Sequence, residues 1–278
     1  MENDDEIEEE LEENINHIEK HLSSFNIEDM EKEGIDKRRI KKKDFSKKRA
    51  AVESVFDERT AFQLSKIIIN RQLDSVEGII SAGKEANVYL GYDTDNNEVA
   101  IKIYKIDRNT SKWMKNYITG DPRFKRIPKN ISKIIYLWAN KEFKNLKRAD
   151  KAGLRVPKPI YVKNNILIME YIGEGPNPAP RLKDVRNPEK PDELLEESLY
   201  FIKHLYQDAK LVHGDLSEFN ILYQDVKPIF IDISQAVSID HPKAEIYLVR
   251  DIKNMFNYFE SLAVETPNPK KFYYEIIE

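Results

Sequence analysis

The run Leu211-Val212-His213-Gly214-Asp215-Leu216-Ser217-Glu218-Phe219-Asn220-Ile221-Leu222, with Ile229-Phe230-Ile231-Asp232 after it, constrains the fold more than any other stretch. Two apolar, strand-like pieces flank a polar loop, so three oxygen-bearing side chains fall at fixed places. Asp215 and Asn220 share the loop, and Asp232 ends the second apolar run. Such a set supplies a carboxylate to orient an attacking hydroxyl, and an amide with a second carboxylate to hold magnesium on the phosphates of ATP. The chain has no cysteine, which excludes disulfides and thiolate chemistry and leaves no thiolate to suggest a softer metal.

Upstream residues read as the other half of a phosphate site. Strands are expected over residues 76–81, 87–92 and 98–104, with Asp93-Thr94-Asp95-Asn96-Asn97 as a turn. Between the first two lies Ser81-Ala82-Gly83-Lys84-Glu85-Ala86-Asn87-Val88. Its small residues allow backbone N–H groups to approach phosphates, and a plain hairpin turn is the alternative. The third strand, Val99-Ala100-Ile101-Lys102-Ile103, sets a lysine among apolar neighbours, which is costly unless it is paired. A helix over residues 132–151, capped by Gly153, has an apolar side at Ile135, Trp138, Phe143, Leu146 and Ala149, and turns Glu142 toward the sheet.

The rest of the chain is plainer. A helix is expected from Asp57, marked by Phe62, Leu64, Ile67 and Ile68, and a hairpin around Asn164-Asn165 joins residues 156–163 to 166–172. Helices follow at 192–206 and 241–262, and the last residues read as a tail. Arg108 to Arg126 is basic, with Trp113, Tyr117 and Phe124 interleaved and no clean period, so it reads as a mobile loop or short helix suited to RNA or regulation. Residues 1–34 hold 14 acidic and 2 basic residues, and residues 35–50 hold 9 basic and 2 acidic. The acidic block repels itself and reads as a solvated arm; the basic block suits RNA, or pairs with the acidic one. His17 and His21, four apart on a helical stripe, lack a third ligand and read as surface residues. With no long apolar run or signal segment, the expectation is a cytoplasmic protein that does not enter a membrane.

The loop at Asp215 resembles the catalytic loop of protein kinases, with Gly214 where those carry an arginine that pairs with an activation-loop phosphate. Val-Ala-Ile-Lys is likewise a kinase pattern, and small-molecule kinases of the aminoglycoside and choline type share His-Gly-Asp. Ser81–Tyr89 (Ser-Ala-Gly-Lys-Glu-Ala-Asn-Val-Tyr), His213–Asn220 and Asp232-Ile-Ser-Gln resemble, more specifically, the RIO family of atypical protein kinases, in the subfamily without an N-terminal winged helix. The resemblance spans about residues 55–262.

That resemblance implies an α+β, two-lobed kinase-like fold: an antiparallel N-lobe sheet with one helix, and a reduced helical C-lobe. The boundaries expected are a charged arm at 1–50, an N-lobe at 51–172 and a C-lobe at 173–278. It implies ATP with Mg2+, or Mn2+ in its place. Ser81, Ala82, Gly83, Lys84, Glu85 and Ala86 would cradle the phosphates, positioned by Lys102 and Glu142. Val88, Ala100, Met169, Ile172, Leu222 and Ile231 would enclose adenine, with the backbone at Glu170 beside it. Asn220 and Asp232 would hold metal, Asp215 would orient or deprotonate the acceptor, and Asp232 is also a phosphoryl acceptor in the family. Similar proteins are self-phosphorylating serine kinases and ATPases in maturation of the small ribosomal subunit, which implies that particle and its RNA as partners. No Ala-Pro-Glu follows Asp232 and only 46 residues remain, so an ordinary activation loop with peptide-docking helices is not expected. The alternatives are an RNA- or ribosome-docking factor that uses ATP as a switch, and a small-molecule kinase.

Overall fold

Alternation along one strand decides which residues face the cleft. The computed structural model describes residues 58–278; the charged arm, with His17 and His21, lies outside them. β1 (Ser75–Ala82), β2 (Ala86–Tyr92), β3 (Glu98–Tyr104), β4 (Pro159–Lys163) and β5 (Ile166–Glu170) form one antiparallel sheet in the order β1-β2-β3-β5-β4. Successive side chains of a strand point to opposite faces. Val99, Ile101 and Ile103 of β3 therefore pack with Ile166 and Ile168 of β5 beneath Leu64 and Ile67 of α1 (Glu58–Ile69). Ala100 faces the other way with Leu90 and Tyr171. Lys102, two residues on from Ala100, shares that second face.

Two helices cover part of the sheet. α2 (Arg108–Ile118) starts at Asp107, whose side chain accepts from the N–H groups of Asn109 and Thr110. The segment expected as a mobile loop or short helix is thus a helix, with Met114 and Ile118 buried against Ile134, Ile135 and Trp138. Trp113 and Tyr117 lie 5.4 and 6.1 Å from the Trp138 ring, so these aromatics are spent on internal packing and not offered as a stacking surface. α3 (Ile131–Lys151) is capped by the Asn130 side chain, and Gly153 follows its end at φ +78°, as expected.

The second half is helical. β6 (Gly173–Glu174) and β7 (Asn177–Pro178) make a short hairpin before α4 (Pro191–Gln207). β8 (Leu211–Val212) enters the polar loop, β9 (Ile221–Gln224) and β10 (Lys227–Phe230) form the next hairpin, and β11 (Val237–Ser238) returns to pair with β8. Phe201 of α4 stacks on Phe230 at 3.7 Å. This core also takes in Leu146, Ala149 and Leu167, so hydrophobic packing runs across the boundary expected near residue 172.

The C-terminal end differs from the expectation. α5 runs Ala244–Ser261, because His241 and Pro242 belong to the preceding turn, where His241 Nδ1 accepts from Lys243 N. The expected tail is a helix, α6 (Pro269–Ile277), with the Asn268 side chain as cap. Its Phe272 and Ile276, one turn apart, are buried in the same core as α4 and α5. His213 lies beneath the polar loop, 2% exposed, with Nε2 against the Ile231 carbonyl at 3.2 Å. Burial lowers its pKa from 6.5 to about 4.

Two outcomes follow. Phe272→Ala should cost about 3 kcal/mol in urea denaturation, whereas Tyr274→Ala, at a half-exposed position, should change stability by no more than about 0.5 kcal/mol. Between pH 6.5 and 4 the unfolded chain binds a proton at residue 213 that the folded chain does not. Stability should therefore fall by roughly 3 kcal/mol from this group as pH drops through that window, and His213→Gln should lack that share of the pH dependence.

Candidate active site

An ammonium group holds the two halves of the site together. Lys102 Nζ donates to Glu142 Oε1 on α3 and to Asp232 Oδ1 after β10, each at 2.9 Å. Lys102 and Glu142 are buried, while the Asp232 side chain is 45% exposed and faces open space. Burial opposes the lysine's charge, but Asp232 and Glu142 together hold its pKa above the ordinary value. Burial lifts the Glu142 carboxyl against the pull of Lys102. Desolvation would raise the Asp232 carboxyl, but Lys102, with a hydrogen bond from Ser234, outweighs it and holds the pKa below the usual carboxylate value. Its backbone sits at φ +56°, a left-handed conformation costly for a non-glycine residue and often found at functional sites.

The second carboxylate is set from the opposite side. Gln235 Nε2 donates to Asp215 Oδ2 at 2.7 Å, and Asn220 Nδ2 donates to the Asp215 carbonyl at 2.8 Å. Burial, then the charge of Asp232, raises the Asp215 pKa. The loop itself hangs on α5: Asp251 accepts from Gly214 N at 2.7 Å and from Leu216 N at 2.9 Å. Gly214 has φ +77°, which explains the glycine. Arg250 donates to the Gly214 carbonyl and lies over the Tyr247 ring. A guanidinium thus reaches the loop from α5, although the loop has lost its own arginine.

The remaining expected residues divide. Gly83 N donates to the Ala86 carbonyl, and a Cβ at Gly83 would stand 2.8 Å from that oxygen, so the turn needs glycine. Lys105 Nζ holds the Gly83 carbonyl, Lys84 is exposed, and Ser81 Oγ accepts from Arg181 at 3.4 Å. Glu85 is half-buried; burial, then Asp232, raises its pKa to about 7. Val88, Ala100 and Met169 share one apolar cluster with Ile80, Leu90 and Tyr171, three residues the sequence reading did not single out. Leu222 and Ile231 are partly buried, and Ile231 N donates to the Asn220 carbonyl. Ile172 is buried, its carbonyl taken by Ala179 N. The Glu170 side chain is engaged elsewhere: Arg155 donates to both its oxygens at 2.7 and 2.9 Å, which leaves its backbone, the part expected beside adenine, for a nucleotide.

Oxygen donors suited to a hard cation are in place. Asn220 commits its amide nitrogen to the Asp215 carbonyl, so its amide oxygen remains an acceptor. Asp232 Oδ1 takes Lys102 and Ser234, and Oδ2 accepts no hydrogen bond from the described residues. Among the described residues no cluster of three or more His, Cys, Asp or Glu could hold an ion alone. The set fits magnesium, which typically uses one or two protein ligands and completes its shell with phosphates and water.

Known proteins resemble this chain in sequence and fold. The family described as the RIO domain matches residues 87–272. The RIO-type serine/threonine-protein kinase Rio1 of Haloferax volcanii is 43% identical over 209 residues, 74% of this chain and 71% of that protein. The human serine/threonine-protein kinase RIO1 is 40% identical over 78% of this chain, which spans only 39% of the human protein. The Rio2 kinase of Chaetomium thermophilum, solved as an ADP/Mg2+-phosphoaspartate complex, has a TM-score of 0.59 at 26% identity, over 77% of this chain and 65% of that one. The α+β fold is therefore kinase-like, and the chain belongs to the RIO family of serine/threonine protein kinases.

Proposed function

We propose that the chain transfers the γ-phosphoryl group of Mg-ATP to serine or threonine, phosphorylates itself, turns over ATP, and works in maturation of the small ribosomal subunit. The observation that carries the chemistry is the convergence of Lys102, Glu142 and Asp232, with Asp215 held by Gln235 from the Asp232 loop. The kinase names of the relatives support the same reaction, and the ribosomal setting rests on the family resemblance alone.

In this reading Lys102 turns from Asp232 toward the α- and β-phosphates, still anchored by Glu142. The glycine turn at 83 brings backbone N–H groups to the same phosphates, and the cluster of Val88, Ala100 and Met169 takes the adenine. Asn220 and Asp232 hold Mg2+, which neutralises phosphate charge when bound. Asp215 keeps Oδ2 on Gln235 and offers Oδ1 to the acceptor hydroxyl. Its raised pKa makes it a better base, though positioning and charge contribute most of the rate. The phosphoaspartate of the Rio2 complex supports Asp232, whose Oδ2 is uncommitted, as a phosphoryl acceptor here.

Only residues 233–243 separate Asp232 from α5, and side chains of α3 hold their backbone. An activation segment of ordinary length does not fit there. This favours self-phosphorylation, or turnover on a bound assembly, over transfer to many free proteins. Of the hydroxyls on and just after α2, Ser111 is buried, whereas Thr119 is exposed. Among the described residues no helix is long and apolar enough to cross a membrane.

Incubation with γ-labelled ATP and Mg2+ should label serine or threonine in the chain, and mapping the label identifies the acceptor. Asp215→Ala should lower transfer by about a hundredfold or more while nucleotide affinity stays within about twofold. Undiminished transfer in that variant, or preferential labelling of aminoglycosides or choline, would refute the reading.

A further inference from the structure

The interior of α3 contains a lysine that the reaction above does not use. Lys141 is fully buried, and no carboxylate among the described residues lies within ion-pair distance. Its Nζ donates to the carbonyls of Ser234 at 2.6 Å and Ala236 at 2.7 Å, and lies 4.8 Å from the centre of the Trp138 ring. Burial, then the charge of Arg123, depresses its pKa well below the ordinary value, against a weaker pull from Asp121. A side chain needed only to fill space would be cheaper if apolar. What this one grips is therefore informative.

It grips the loop that follows Asp232. Asn145, one helical turn on, donates to the carbonyls of Ile233 at 2.9 Å and Ala236 at 3.0 Å. Arg123 gives Ala236 O a third donor at 3.2 Å and is itself fixed by Asp121. Side chains of the same loop reach the two carboxylates: Ser234 Oγ donates to Asp232 Oδ1 at 2.9 Å, and Gln235 Nε2 to Asp215 Oδ2 at 2.7 Å. The loop is held through its carbonyls on one side and sets both acids on the other.

We propose that Lys141, with Asn145, is a positioning residue for phosphoryl transfer: it fixes the backbone of residues 233–236 so that Asp232 meets the metal and Asp215 meets the acceptor. Removing its donors frees the left-handed backbone at Asp232 and the Gln235 strut together. Lys102 keeps Glu142 as an anchor outside this loop, so metal dependence and turnover suffer while metal-free nucleotide binding does not. The inference rests on Asp232 being the metal holder.

The test uses the full chain as wild type, Lys141→Met, Asn145→Ala and Asp232→Asn. Each is titrated with a fluorescent ADP analogue without Mg2+ and then across a Mg2+ series, with ATP turnover and thermal denaturation alongside. Lys141→Met should bind metal-free analogue within about twofold of wild type, need about tenfold more Mg2+ for half-maximal tightening, and lose kcat by about tenfold or more. Asn145→Ala should move in the same direction by less, and decides the matter if Lys141→Met does not fold. A folded Lys141→Met, or failing that Asn145→Ala, with the wild-type Mg2+ midpoint and kcat overturns the proposal, including where only the melting temperature has moved. Asp232→Asn with an unshifted Mg2+ requirement overturns instead the reading of Asp232, and the proposal with it.

Discussion

An ammonium group out of water is the constraint on which the rest of this structure depends. Lys102 is buried on β3, and an ion of this kind without partners costs several kcal/mol even after relaxation. The fold meets that cost with two carboxylates from distant parts of the chain, Glu142 and Asp232. One belongs to a helix on the sheet, the other to the loop after β10. Joining them at one nitrogen fixes how the sheet, α3 and the second half meet. Glu142 Oε2 is buried without a hydrogen-bond partner, so this carboxylate has capacity to spare.

Around that point the two loops of the site are fixed by secondary structure more than by one another. α5 holds the Asp215 loop through Asp251, whose two oxygens satisfy the N–H groups of Gly214 and Leu216. Arg250 supplies a positive group to the same peptide from outside the loop. α3 holds the Asp232 loop through carbonyls. Neither arrangement calls for a phosphate to order it, in keeping with a loop that has glycine where ordinary kinases have arginine.

The sequence was most legible where period and chemistry coincide. β2 and β3 were readable from alternation and a turn, and that same alternation put Lys102 on the face with Val88 and Ala100. The polar loop announced Asp215, Asn220 and Asp232 because acids between apolar strands have few other uses. Lys141 and Asn145 gave no such signal. A lysine inside a helix rich in lysine reads as solvated, and only tertiary packing reveals that this one turns inward. Glu170 was read for its backbone alone; Arg155 lies far enough away in sequence that its pairing with the Glu170 side chain left no local trace. α6 was missed because a short helix is marginal by itself. Its signs, Asn268-Pro269 and the pair Phe272 and Ile276, gain meaning only once α4 and α5 offer a surface.

Glu142 and Lys141 are consecutive residues, and consecutive residues of a helix project about 100° apart. One points to Lys102, the other to the carbonyls beyond Asp232. A roll of α3 sufficient to release the first would carry the second out of its socket. The two contacts are coupled through one turn of α3, so a movement there disturbs both sides of the cleft at once.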